Sequence, residues 1–352
     1  MTSVAGSAGI SDISLMLGSP ILSHGATSAY RHRRATAVGD CGTSEKTRRY
    51  NVAMFQKTLL FLVFGSIVSA QLMPSAEWAA HAQNEYQILP NLTYLAASGY
   101  ESKLDIYKRR DTTTPQPTVI FFHGGGWVLG TKEAAVMSIV PWLEMGWNVV
   151  NVEYRMARVA LAPAAVEDGQ CALRFVVDGA KTYGIDVNHI VVTGESAGGH
   201  LALTTGMIPE SAGFTRVCAG GGFATSNTAV PKVAAIINWY GITDVTELLA
   251  GPRVRSYAVQ WLGSQLNADE KARGVSPLTY VRAGLPPILS IQGDQDPLVP
   301  YEQNVRLHEA LTRMGVTNEL LTIPGGGHGN FKPSERTQIY LKIREFLSKN
   351  GL

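Results

Sequence analysis

From Leu92 onward the chain repeats one unit: a short apolar run, a turn, then a stretch of helical period. Strands are expected at Leu104–Arg109, Thr118–His123, Trp147–Arg155, His189–Gly194, Lys232–Gly241, Pro286–Asp294 and Asn318–Pro324. Helices are expected at Lys132–Gly146, Ala164–Tyr183, Ala197–Met207, Tyr301–Met314 and Ser334–Lys349, with a broken helical stretch over Asp244–Gly274 and an irregular loop over Arg216–Asn227. Apolar strands that alternate with helices imply a mainly parallel central sheet covered by helices on both faces, an α/β fold. No repeat, heptad or composition break follows residue 90, so residues 71–352 read as one domain.

Ligands of such a sheet meet the carboxyl ends of its strands, and the distinctive residues fall there. The stretch VVTGESAGGHLAL, Val191–Leu203, runs from strand to helix through a serine set among glycines. Gly194, Gly198 and Gly199 permit a sharp turn that lifts the Ser196 hydroxyl clear of its own backbone, while the following helix points its positive end at developing negative charge. Helix capping is the bland alternative for Ser196.

A nucleophilic serine needs a base, and the base needs an orienting acid. His328 follows the last strand in PGGGHGNF. Asp294 and Asp296 follow the preceding strand in QGDQDPLVP. Asp294, at the strand end, suits a tie for the turn. Asp296, two residues further and fixed by Pro297, suits the histidine. The order Ser, Asp, His is the one expected with this elbow. Upstream, FFHGGGW presents consecutive glycines at a strand end, so the N–H groups of Gly125 and Gly126, with that of Ala197, would form an oxyanion hole. His123 is expected to shape that loop and Glu195 to pair near the elbow. His200, one turn after Ser196, is expected to pack rather than act as a base. Trp127 and Tyr240 are expected to contact substrate, with core packing the alternative for both and for Trp261.

These motifs resemble the α/β-hydrolase superfamily, in its hormone-sensitive-lipase-like and related carboxylesterase groups. HGGGW, NVEYR followed by APAAVED, GESAGGHLAL, DQDPLVP and GGGHGNF occur in that family's order, across roughly Leu92–Leu347. The stretches INWYGITDVTELL and SPLTYVRAGLPPILSIQGDQDPLVPYEQ look closest to secreted esterases of acetylated or feruloylated plant polysaccharide. YRMARVALAPAA departs from the lipase-like pattern, which has Leu-Ala-Pro-Glu after Tyr-Arg. The resemblance implies an α/β-hydrolase fold, a triad of Ser196, His328 and Asp296 (the acid preceding Pro-Leu-Val), and an acyl-enzyme. It implies a small-molecule or polysaccharide-linked ester as substrate, with short acyl chains of two to four carbons preferred because no long apolar lid stands out. The alternatives are a non-catalytic interaction protein on the same fold, or a serine peptidase or aryl-formamidase. The first usually lacks the serine or the histidine; a peptidase of this fold usually carries a propeller domain, which does not fit this length.

The first seventy residues read differently. Residues 1–53 are rich in Ser, Ala, Gly and Thr without period, the pattern of a non-structural extension or over-extended gene start, with Met54 as the initiator. Residues 54–70 combine Lys57, an apolar run from Thr58 to Val68 and the small residues Val68-Ser69-Ala70, the build of a secretory signal peptide cut before Gln71. The run of about 11 residues is short of the roughly 20 that span a bilayer, so no integral membrane span is expected. A secreted or periplasmic protein is expected, and Asn91-Leu92-Thr93 is a glycosylation sequon if the secretory route is eukaryotic.

The net charge is +2; seven Lys/Arg against three Asp/Glu in residues 1–70 account for +4, leaving −2 for the remainder. That body has no basic excess to recruit nucleic acid. Of the three cysteines, Cys41 precedes the expected cleavage site, and Cys171 and Cys218 flank the elbow unit closely enough to be read as a disulfide. No Cys/His cluster has metal-ligand spacing, and neither metal nor organic cofactor is expected. The sequence leaves the oligomeric state open.

Overall fold

The computed structural model describes residues 74–220 and 232–352. The expectations for residues 1–53, for the signal peptide at 54–70 and for part of the loop at 216–227 lie outside the described residues. Helix α1 (Pro74–Glu85) leads into strands β1 (Tyr86–Ala97), β2 (Tyr100–Arg109) and β3 (Gln116–Phe122). Then follow α2 (Val136–Glu144), β4 (Asn148–Val152), α3 (Ala164–Asp178), the single turn α4 (Ala180–Tyr183), β5 (Ile185–Glu195) and α5 (Ala197–Met207). The second half holds β6 (Ala235–Trp239), α6 (Ser256–Leu262), α7 (Ala268–Gly274), β7 (Ile288–Gly293), α8 (Tyr301–Arg313), β8 (Asn318–Ile323) and α9 (Pro333–Lys349).

The eight strands form one sheet in the order β1-β2-β4-β3-β5-β6-β7-β8. β2 is antiparallel to both of its neighbours, and the pairings from β4 through β8 are parallel. Alternation along β3 sorts the core. Ile120 and Phe122 join the cluster holding Ala172 of α3, Leu201 of α5 and Leu307 of α8. Val119 and Phe121 join Ile139 and Trp142 of α2 and Ile343 and Phe346 of α9 on the other face. Central strands buried on both faces explain why their sequences are predominantly apolar.

From β3 the chain turns back toward β4, and from β5 it moves on to β6, so the direction of winding reverses between β3 and β5. A crevice opens at such a switch point, outside the strand ends. The Gly124–Gly126 loop and Ser196 stand on its two sides.

Several boundaries differ from expectation. The helix expected from Lys132 begins at Val136, because Lys132 is buried as an anchor. Its Nζ lies 2.9 Å from Asp105 Oδ2 and its backbone N–H donates to Glu153 Oε2 at 2.7 Å. The strand expected to Arg155 ends at Val152, where Arg155 turns to pair with Glu167 and Asp168. Phe214–Gly220 is a 3-10 helix rather than irregular loop. It carries Cys218, joined to Cys171 of α3 in a disulfide with Cα atoms 5.2 Å apart.

Candidate active site

Ser196 sits at φ 57°, ψ −117°, a backbone conformation sparsely populated by residues with a Cβ. Close packing maintains it. An ideal Cβ on Gly198 would stand 2.0 Å from the Phe122 carbonyl oxygen, so only glycine lets α5 press this closely on the end of β3. Ser196 N–H donates to Trp239 O at 2.9 Å, fixing the turn to β6 as well.

The strained serine points its hydroxyl at a histidine. Ser196 Oγ lies 2.8 Å from His328 Nε2, and His328 Nδ1 lies 2.8 Å from Asp296 Oδ2. The Asp296 side chain is fully buried and that of His328 is 16% exposed. A carboxylate only accepts, so Nδ1 carries the imidazole proton and Nε2 is left to accept from Ser196. Burial works to raise the Asp296 carboxyl. The hydrogen bond and charge of His328, with the N–H groups of Val299 and Leu298, outweigh it and hold the carboxyl below its ordinary range. Those N–H groups both donate to Oδ1, at 3.0 and 2.8 Å. Asp294 faces elsewhere and accepts from Gly325 N–H at 2.7 Å, tying the turns after β7 and β8.

The glycine loop passes close to the serine, since an ideal Cβ on Gly124 would stand 3.6 Å from Ser196 Cβ. Gly125 at φ 118° turns the chain back, and the N–H groups of Val128 and Leu129 both donate to its carbonyl. His123 braces the loop: its Nδ1 donates to Gly124 O at 2.7 Å, and its ring stacks on Tyr154. Among the described residues, the N–H groups of Gly125, Gly126 and Ala197 have no protein acceptor. Unspent N–H groups beside a nucleophile are what a developing oxyanion requires.

Two expected substrate contacts are corrected. Trp127 has no exposed surface; its positive φ of 60° turns the ring downward, where it stacks on Trp261 with centroids 4.1 Å apart. Trp261 is likewise buried. Tyr240 is 4% exposed and sets its ring edge-on against His328, centroids 4.7 Å apart, so it backs the histidine instead of facing substrate. The His200 ring donates from Nε2 to Val275 O at 2.7 Å and packs edge-on against Trp127 and Trp261, so it is not the base for Ser196.

The sequence reading missed several supports. Gln292 Nε2 donates to Asp296 Oδ2 at 3.2 Å and to Val299 O at 2.9 Å, and Asn304 in turn donates to Gln292 Oε1. A polar residue inside the apolar run ILSIQG was the available signal. Arg255 donates to the carbonyls of Pro297 and Leu298, and the Tyr257 hydroxyl also donates to Leu298 O. Tyr257 packs on Gly126 as well, linking the acid loop to the glycine loop. Nothing local marks either residue.

Burial pushes His200 and His308 down to about 4 from an ordinary 6.5. Unfolded, each takes a proton near pH 6.5; folded, neither does until about pH 4. Between those values the unfolded chain binds more protons, so stability is full above pH 6.5 and falls as pH drops toward 4. The Asp296 contribution is lost only at lower pH, as its depressed carboxyl titrates. Thermal melts across this window should show Tm falling with acidification, and a shallower fall in the His200→Gln, His308→Gln double variant. An unchanged slope in that variant would refute the assignment.

Among the described residues no group of three or more His, Cys, Asp or Glu is placed to hold a metal ion, and no helix is long and apolar enough to cross a membrane. Residues 104–311 match the BD-FAE family model. Esterase LipC of Mycobacterium tuberculosis (strain ATCC 25618 / H37Rv) is 30% identical over 233 residues, 64% of this chain and 56% of that one. The chain spans about half the length of such curated relatives. A truncated carbohydrate esterase from gut microbiota superposes with a TM-score of 0.64 at 26% identity, covering 76% of this chain and 98% of that one. The propionate-bound esterase Est2 of the planctomycete Thermogutta terrifontis gives 0.62 at 26% identity, covering 76% and 95%. The match spans the sheet from β2 through most of α8, and with it the elbow, the glycine loop and Asp296: the chain belongs to the BD-FAE family and has the α/β-hydrolase fold.

Proposed function

We propose that this protein hydrolyses short-chain carboxylic esters through Ser196, His328 and Asp296. The observation that carries the reading is the strained Ser196, held with Oγ 2.8 Å from a histidine whose other nitrogen meets a buried carboxylate. Ser196 Oγ attacks the acyl carbon as His328 Nε2 takes its proton. The carbonyl oxygen becomes an oxyanion and accepts from the N–H groups of Gly125, Gly126 and Ala197. The bond to the alcohol breaks, the alcohol leaves with the proton from His328, and the acyl group remains on Ser196. Water, deprotonated by His328, then attacks the acyl-enzyme; the acid leaves and Ser196 regains its proton. Asp296 holds the Nδ1–H tautomer and stabilises the imidazolium.

Short acyl chains are preferred on this reading because the sequence offers no long apolar lid. The propionate held by the Thermogutta esterase supports a short acyl group, and the carbohydrate esterase from gut microbiota supports a sugar-linked ester; acetyl or feruloyl esters of plant polysaccharide are the substrates proposed from the sequence resemblance. On nitrophenyl esters from acetate to palmitate, kcat/KM should be highest at two to four carbons, with acetyl-xylan and methyl ferulate assayed beside them. A higher value on palmitate than on butyrate would overturn the chain-length preference; no turnover of any ester would overturn the reading itself.

Export completes the proposal: residues 54–70 act as a signal peptide, and the mature protein begins at Gln71. N-terminal sequencing of secreted protein tests it, and a start well before Phe55 contradicts it.

A further inference from the structure

We propose that Arg336 is a positioning residue for His328, acting through the Gly329 carbonyl; the inference rests on the triad reading above. Arg336 lies in the first turn of α9 and donates from Nη2 to Gly329 O at 2.5 Å. Gly329 directly follows His328 and holds φ 77°, so its carbonyl direction and the histidine's backbone are set together. The guanidinium also stands over the Phe331 ring, 6.0 Å from the centroid. Glu195, the residue directly before Ser196, lines the same groove. Burial pushes the Glu195 carboxyl up; the hydroxyls of Ser138 and Tyr240 and the charges of Arg336 and His328 work against that rise. One cation therefore bonds the residue after the base and bears electrostatically on the residue before the nucleophile.

Tyr240 closes the arrangement. Its hydroxyl abuts Gly329, where an ideal Cβ would stand 2.5 Å away, and its ring supports His328 edge-on. The His328 loop is thus held from behind by groups that never meet substrate. Those groups are reached from the far side of the elbow: Ser138, Glu195, Arg336 and Tyr340 line a groove of about 1450 Å³ between α2 and α9. A charge-assisted bond to the Gly329 carbonyl sets where Nε2 points, and a small displacement there changes the rate of proton transfer more than it changes substrate binding.

The test compares the parent with Arg336→Met and Arg336→Lys. Turnover of p-nitrophenyl acetate, melting, and the far-downfield proton NMR signal of the His328 Nδ1–H are measured on each. Arg336→Met should lose about ten- to hundredfold in kcat, with KM within about threefold and Tm within a few degrees, and its Nδ1–H signal should broaden or shift. Arg336→Lys should fall between that variant and the parent in both kcat and signal. A kcat for Arg336→Met within twofold of the parent, or an Nδ1–H signal identical to the parent's, overturns the proposal. If Arg336→Met does not fold, Arg336→Gln, which removes the charge but keeps a polar side chain, is judged by the same two outcomes. A parent that turns over no ester fails the esterase reading instead, and the NMR comparison still decides whether Arg336 positions His328.

Discussion

Ser196→Gly is expected to abolish ester hydrolysis and to raise the melting temperature. Loss of the nucleophile costs about a hundred-thousand- to million-fold in kcat in serine hydrolases whose other machinery is intact. The stability gain comes from the backbone. At φ 57°, ψ −117° a Cβ is strained by roughly 1–3 kcal/mol, and glycine adopts the same angles without that strain. Glycine also makes the unfolded chain more flexible, which takes back roughly 0.4–1 kcal/mol. A net gain near 1 kcal/mol raises Tm by about 2–4 °C in a domain of this size. Ser196→Ala serves as the control: equally inactive, it keeps the Cβ and the strain, so its Tm should stay near the parent's. A Ser196→Gly variant that melts below Ser196→Ala would show that the turn is relaxed and the elbow stores no strain.

Asp296→Asn is expected to lower kcat by about ten-thousand-fold with the fold intact. The two N–H groups of Leu298 and Val299 point at one carboxylate oxygen, so the asparagine carbonyl must take that position. Its NH2 then faces His328 Nδ1, which has to become an acceptor. The imidazole proton moves to Nε2, where it confronts the Ser196 hydroxyl and cannot receive its proton. Gln292 worsens the mismatch, because its NH2 also faces that position. Asp294→Asn keeps a carbonyl for Gly325 N–H and should stay within a few-fold of the parent, its effect falling mainly on stability. Burst kinetics and melting of both variants decide the matter. An active Asp296→Asn beside a folded, inactive Asp294→Asn would reverse the two roles.

The parallel strands were legible because burial on both faces makes them predominantly apolar, as at Val119–Phe122 and Ile190–Val192. β1 was largely illegible for the opposite reason. It is a sheet edge interrupted by Pro90 and by Asn91 at φ 57°, with two register shifts against β2, so no alternation survives in YQILPNLTYLAA. α1 buries no residue, and without a buried face there is no period to read. In the site, the parts at strand ends announced themselves through glycine, because close backbone approach leaves a compositional mark. The parts that orient them did not. Arg255, Tyr257 and Arg336 act from helices or their flanks on loops 41, 42, 43 or 7 residues away in sequence, and their chemistry is that of ordinary surface residues. Trp127 was misread because loop tryptophans beside a glycine run look like pocket walls until a positive φ turns them inward.

Ser196 and His328 are 132 residues apart, whereas His328 and Asp296 are separated by only 32. In ribosomal time, at about 5–20 residues per second, roughly 7–26 seconds pass between synthesis of the nucleophile and synthesis of its base. A growing chain therefore carries its elbow and glycine loop well before the means to use them. On the proposed mechanism the nascent protein is inert toward esters until β8 has docked beside β7 and brought His328 to Ser196.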